Sequence, residues 1–225
     1  MILMCVLGSS AFALEVLKSA SASCRTDINY PTTNRHDSSK LSIRSDASAA
    51  KSWIKFDLTT LEDPNSIRSA VLRLTLHENE GDFQFDVSAV NDSCLDNIGW
   101  LEREITWNNA PANDLASWTN PDFTKATKMG TVDLTGNYAA GSQHFIDVSS
   151  AVLGDTDGIV QFILHNSNSL INCSTWDHPL GAEYYPTLFL TYPPLGADWP
   201  NPEVGEVVTT DLPSLAWVNP DPNTQ

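Results

Sequence analysis

Apolar and polar residues alternate with a period of two through the middle of this chain. Leu41 and Ile43 sit between Lys40, Ser42 and Arg44, and the same rhythm runs through 53–58, 71–77, 83–87, 145–148, 159–164 and 187–192. Short runs of this period, bounded by Gly, Pro, Asn, Asp and Ser clusters, predict β-strands. Only the DVSSAVL stretch, 147–153, predicts a helical turn. Seven or more such strands predict an all-β fold, an antiparallel two-sheet β-sandwich of jelly-roll type. Successive side chains of a strand face opposite sides. Leu41, Ile43, Ile54, Phe56, Leu58, Leu72, Leu74 and Leu76 are thus expected inside, and Lys40, Arg44, Trp53, Lys55, Arg73 and His77 outside. An outward Trp53 has two readings, a side chain roofed by a loop or one offered to a ligand.

The ends of the chain read differently. Residues 1–13 are apolar and close on Ala11-Phe12-Ala13, the pattern of a signal-peptide cleavage site, although no basic residue precedes them. Residues 14–25 are expected to be a linker and 26–192 the sandwich. A Pro-rich linker is expected at 193–202, then the start of a second β module, immunoglobulin- or fibronectin-like, at 203–225. Such an opening strand cannot bury its own apolar face, so covalently linked further domains are expected. Export permits disulfides, and removal of the leader takes Cys5 and leaves Cys24, Cys94 and Cys173. Cys94 and Cys173, both in polar segments beside strands, form the preferred pair, with Cys24 as the alternative member.

Charge narrows the partners. The formal net charge is −16, yet nine of the twelve Lys/Arg and only seven of the 28 Asp/Glu fall within the first 75 residues. Nucleic acid is excluded as a partner, since phosphate binding needs clustered cations. No apolar run is long enough for a membrane-spanning helix. No nucleophile elbow, P-loop or zincin motif occurs, and the five His lack metal-ligand spacing. Glu102 and Glu104 share one expected strand rather than facing each other across a cleft, and read as a solvated acidic edge. No cofactor is required. Calcium is the one ion to consider, at Gly154–Gly158 and Glu78–Asp82, where oxygen ligands cluster in glycine-punctuated turns.

Longer segments carry a resemblance. SWIKFDLTTL (52–61) followed by SIRSAVLRLTLH (66–77) resembles the opening of the DNRLRE domain, also known as carbohydrate-binding module family 96. WLEREITWNNAP (100–111) is similar to that family's most specific segment, and 147–152 and 185–192 resemble its D-V-T and closing strands. Cys173–Asp177 and Tyr185 depart from the family pattern. The resemblance implies a non-catalytic, secreted or cell-surface module that binds a polysaccharide, with alginate as the ligand type that defined the family. The residues expected to do so are Trp53, Lys40, Arg44, Lys55, Arg73 and His77, by stacking on sugar rings and holding uronate or sulfate groups. The Thr-Trp-Asn-Asn-Ala-Pro run reads as a rigid corner or as part of a sugar site; Trp107 as a buried anchor favours the corner. A structural spacer of a large surface protein, with no ligand of its own, is the alternative function.

Overall fold

The computed structural model describes residues 13–36, 38–78, 80–94, 100–167, 169–175 and 177–193. The expected leader, the Pro-rich linker beyond Pro193 and the second module lie outside the described residues. Eleven strands are found in order among them: β1 Leu14–Ser19, β2 Ala22–Asp27, β3 Lys40–Ile43, β4 Ala50–Asp57, β5 Ser69–Thr75, β6 Glu80–Val90, β7 Ala126–Tyr138, β8 Gln143–Asp147, β9 Ile159–His165, β10 Ile171–Ser174 and β11 Thr187–Tyr192. The α-helical turn, α1 Ser149–Leu153, lies where the DVSSAVL stretch predicts it, and two short 3-10 turns, Pro64–Ser66 and Ala182–Tyr184, occur besides it among the described residues.

The strands form two antiparallel sheets and a ribbon. Sheet I has the order β1-β11-β5-β8, sheet II the order β2-β4-β9-β6-β7, and β3 pairs with β10. The chain crosses repeatedly from one sheet to the other, as expected of the jelly-roll type. The ribbon hangs between the sheets, joined to β5 by the Leu76–Cys173 bridge and to β4 by the Arg44–Ala50 bridge. Every side chain expected inside is there: Leu41, Ile43, Ile54, Phe56, Leu58, Leu72, Leu74 and Leu76 are at most 1% exposed and pack as one core. Phe85, Val87, Phe162, Leu164, Leu188 and Leu190 complete it.

Three expectations are corrected. Residues 14–25 are not a linker, because Leu14–Ser19 pairs along its whole length with β11 and Ala22–Asp27 pairs with β4. The small residues of Ala22-Ser23-Cys24 hid that strand; they lie flat beneath other chain segments instead of presenting large apolar groups. No disulfide is formed among the described residues: Cys94 and Cys173 are both thiols. Cys173 packs in the inter-sheet core while Cys94 packs against a second cluster on the far side of sheet II, so the two belong to different layers. Trp53, finally, is not a ligand-facing side chain.

That second cluster makes the molecule three layers deep. Trp53 does point away from the inter-sheet core, but the segment between β6 and β7 roofs that face. Trp100, Ile105, Ala110 and Ala112 from the roof close over Cys24, Trp53 and Ile163, and Trp53 is left 0% exposed. Its indole N–H donates to the Pro111 carbonyl at 2.9 Å. The Thr-Trp-Asn-Asn-Ala-Pro run is thus a corner. Asn109 Oδ1 accepts from the Thr106 N–H at 2.6 Å and its hydroxyl at 2.9 Å, and Asn109 Nδ2 donates to the Glu104 carbonyl at 3.0 Å. Ala112 turns the chain in the left-handed region, at φ +52°. Glu102 and Glu104 lie in turns of this roof rather than on a strand.

A buried lysine pins the roof down. Lys51 shares Trp53's face of β4 and is 1% exposed. Its ammonium donates to Asn113 Oδ1 at 2.9 Å and to the carbonyls of Ser117 at 3.0 Å and Asn120 at 2.6 Å, with Asp114 O at 3.4 Å. It also lies 4.8 Å from the Trp107 ring centre. Replacing Lys51 by Met would leave these oxygens without their donor under a roof closed to water. We expect a loss of about 3 kcal/mol in urea unfolding, with faster amide exchange across 106–122. A loss below about 0.5 kcal/mol would show that water replaces the ammonium.

Candidate functional site: a polar groove beside the β3–β10 ribbon

The six outward residues expected to bind a ligand do not form one surface. Lys55 lies under the edge of the roof, donating to the Trp100 carbonyl, with its ammonium 5.0 Å from that Trp ring centre. Burial lowers its pKa, while Asp57, Glu104 and Glu102 oppose the shift. Arg73 stands on the outer face of sheet I. Its Nη2 donates to Thr187 Oγ1 at 2.9 Å and to the carbonyls of Ala182 and Tyr185, both at 3.2 Å, and its guanidinium lies over Phe189 at 5.6 Å. Trp53, Lys55 and Arg73 are therefore committed to holding the fold together.

Lys40 and Arg44 are brought together. On β3 the alternation that sends Leu41 and Ile43 into the core turns Lys40, Ser42 and Arg44 to the other side. There they line a groove of about 250 Å³ with Arg25 and Asp27 from β2, Ser48, Ala50, Glu78, Leu170 and Asn172. Arg25 Nη1 donates to Ser42 Oγ at 2.9 Å, and that hydroxyl donates to Asn172 Oδ1 at 2.7 Å. Arg25 Nε is buried without a hydrogen-bond partner among the described residues. Lys40 is ion-paired to Glu78, and Arg44 to Asp46 at 2.6 Å. Three cations from two strands thus converge on one polar cleft of an otherwise acidic molecule. A planar guanidinium suits a carboxylate or sulfate oxygen.

His77 sits at the rim, through Glu78. Arg25 is the member sequence reasoning missed, because it lies in the segment taken as linker. The Cys24-Arg25-Thr26-Asp27 alternation of small or apolar with charged residues was its only signal.

A separate acidic cleft opens at the other end of sheet II. Its cavity of about 430 Å³ is lined by Asn91, Asp92, Thr127, Met129, Ser150, Asp155 and neighbours. Asp92, Asp155 and Asp157 bring carboxylate oxygens within 4.8 Å of one another, so the first of the two turns considered for calcium gains a third carboxylate from the β6 end. Hard oxygen ligands suit calcium or magnesium, although three carboxylates fall short of the six to eight oxygens calcium takes. Of the second turn, only the Glu78 side chain is described, and it is paired to Lys40.

Burial, then the Asp157 charge, pushes the Asp155 carboxyl up to about 6. The folded state therefore holds this proton more tightly than the unfolded chain does. The stability it confers is complete below about pH 4 and is lost as pH rises through about 6. Asp155→Asn keeps an oxygen for the Gly158 N–H, which Asp155 Oδ2 accepts at 2.8 Å. In metal-free buffer we expect the variant to gain about 1 kcal/mol over the parent near pH 7.5, a figure discounted for solvent screening, and nothing near pH 4. Equal gains at both pH values would refute the assignment.

Comparison with curated proteins gave no match. Comparison with protein families did: the profile of carbohydrate-binding module family 96 matches residues 19–172, which takes in all of sheet II, strands β5 and β8 of sheet I, the roof, and all the groove-lining residues, and stops before β11. The chain belongs to carbohydrate-binding module family 96.

Proposed function

We propose that this chain is a non-catalytic module that tethers a secreted or cell-surface multidomain protein to an acidic polysaccharide, held in the Arg25–Lys40–Arg44 groove. The observation that carries the reading is the convergence of these three cations on one cleft in a protein of net charge −16. Long-range repulsion from the acidic body makes such binding slow to form and sensitive to salt. Contacts inside the cleft then supply the affinity, with Arg25 in a fork geometry beside the polar Ser42–Asn172 pair. Any catalytic domain would lie elsewhere in the full protein.

The spacer reading retains one specific support. Glu78 and Asp46 already neutralise Lys40 and Arg44, so a ligand must displace or share those carboxylates.

Affinity electrophoresis through gels containing alginate, polygalacturonate or a neutral glucan separates the two readings. Retardation by the uronate polymers only, weakening with salt, is expected. Arg25→Ala should lose about tenfold in affinity, the equivalent of one charge-assisted pair, whereas Arg73→Ala should keep its retardation once stability is matched. Unchanged mobility in every gel would leave the spacer.

A further inference from the structure

Two histidines from distant parts of the chain are locked together beside the groove. His77 follows the last residues of β5, and His178 comes from the segment after β10. Their rings meet at 78°, with His178 Nε2 2.9 Å from His77 Nδ1. The direction of that hydrogen bond is fixed by a third contact. His178 Nδ1 accepts the Leu180 backbone N–H at 3.3 Å, so its proton resides on Nε2, and His77 Nδ1 must be the acceptor. His178 is 5% exposed and stacks on Tyr184 at 4.8 Å.

The full set of contacts holds only while both rings are neutral. A proton added to His77 Nδ1 would face the His178 Nε2 proton; one added to His178 Nδ1 would face the Leu180 N–H. Either way the first proton costs one contact of the Leu180–His178–His77 chain, and a second proton breaks the His77–His178 bond itself. The charged neighbours bias the pair further. Lys40, on β3, and the opposing imidazole lower the His77 pKa after burial, which is the largest cause. Burial also lowers that of His178, against the pull of Asp177. Glu78 adjoins His77 in the chain, and Glu183, on the turn that carries Tyr184, acts on Arg73. Both imidazoles being held below the usual histidine range, the intact clasp stabilises the fold above about pH 6.5 and gives way as the pH falls below it.

The clasp connects to the groove through the backbone. The His77 N–H donates to the Asn172 carbonyl at 2.9 Å, and the Asn172 side chain lines the cleft. The next residue, Glu78, covers Lys40. An imidazolium at position 77 would compete with Lys40 for that carboxylate and add positive charge at the rim.

We propose that the His77–His178 pair is an acid-released clasp which, at neutral pH, holds Glu78 over Lys40 and keeps the groove half-neutralised, and that protonation frees Lys40 for an anionic saccharide. The proposal rests on the groove reading given above. Oligogalacturonate and dextran sulfate both stay ionised between about pH 5 and pH 7.5, so a change in their binding reports on the protein. For the parent protein we expect about fivefold tighter binding at the lower pH, the effect of roughly one added charge near the site. His77→Gln should abolish that gain, and Glu78→Gln should bind tightly at both pH values. Histidine ring NMR, with no ligand present, should show the two rings titrating as a coupled pair, and His77→Gln should shift the His178 titration. Binding without pH dependence, or a gain retained in His77→Gln, overturns the clasp and leaves the groove. Coupled titration with no binding at either pH overturns the groove reading and its regulation, while independent titration of the rings removes the clasp itself.

Discussion

A lysine with no access to water organises one side of this protein. Taking an ammonium out of solvent costs several kcal/mol, and burial draws Lys51 down to about 8 against the opposing pull of the Asp114 charge. The ion stays charged at neutral pH because Asn113, Ser117 and Asn120 surround it with oxygens at hydrogen-bond distance. Three charge-assisted bonds of about 1.5–3 kcal/mol each are enough to offset the desolvation. What makes the balance favourable is the roof itself, since the same segment that supplies the oxygens also covers Trp53. Polar and apolar contacts depend on each other here. Without Lys51 the carbonyls of the 113–120 turns would have no reason to approach β4. Without Trp53 and Ile163 beneath it, the roof would have no apolar surface on which to settle.

That constraint closes the part of sheet II next to the groove. One face of sheet II is committed to the inter-sheet core, and the roof covers the other where β2, β4 and β9 run, while the outer side of β7 stays open at Lys128, Thr131 and Asp133. Polar groups then converge at the flank, where the β3–β10 ribbon bridges the two sheets and cannot be covered by either. Ser42 and Asn172 meet there because β3 and β10 pair at those two residues. Their side chains emerge next to Arg25 from the edge strand of sheet II. The groove is thus a product of topology: a two-stranded bridge leaves a notch, and polar residues fill it.

The sequence rendered one periodicity faithfully and another not at all. Period-two alternation placed eight core side chains without error, because an inter-sheet core demands large aliphatic groups at every second residue. It also oriented Trp53, Lys55 and Arg73 correctly. What alternation cannot state is whether an outward face meets water. The roof is irregular backbone, held by Asn109, Asn113 and Pro111 through local hydrogen bonds that leave no periodic mark. β2 was missed for a related reason: a strand packed tightly under other segments uses Ala, Ser and Cys, which look like a linker. The thiols show the limit of reading cysteines by their neighbours. Cys173 lies in a polar stretch, yet it faces Leu41 across the ribbon and belongs to the core.

Net charge proved the least transferable of the sequence signals. A value of −16 describes the field met by a distant polymer, and at physiological ionic strength that field decays over about 8 Å. Inside the groove the relevant charges are those of Arg25, Lys40 and Arg44 and the carboxylates of Asp27, Glu78 and Asp46. These nearly cancel. A site so balanced responds strongly to small changes, because gaining one proton or losing one carboxylate alters its sign, whereas the same change on a strongly basic patch would alter only its degree. Under the proposed function, an acidic body with a balanced cleft would repel polyanions indiscriminately at long range and admit one only where local geometry can displace a carboxylate. Selectivity would then reside in the spacing of Arg25 from Lys40 across Ser42, not in the total charge.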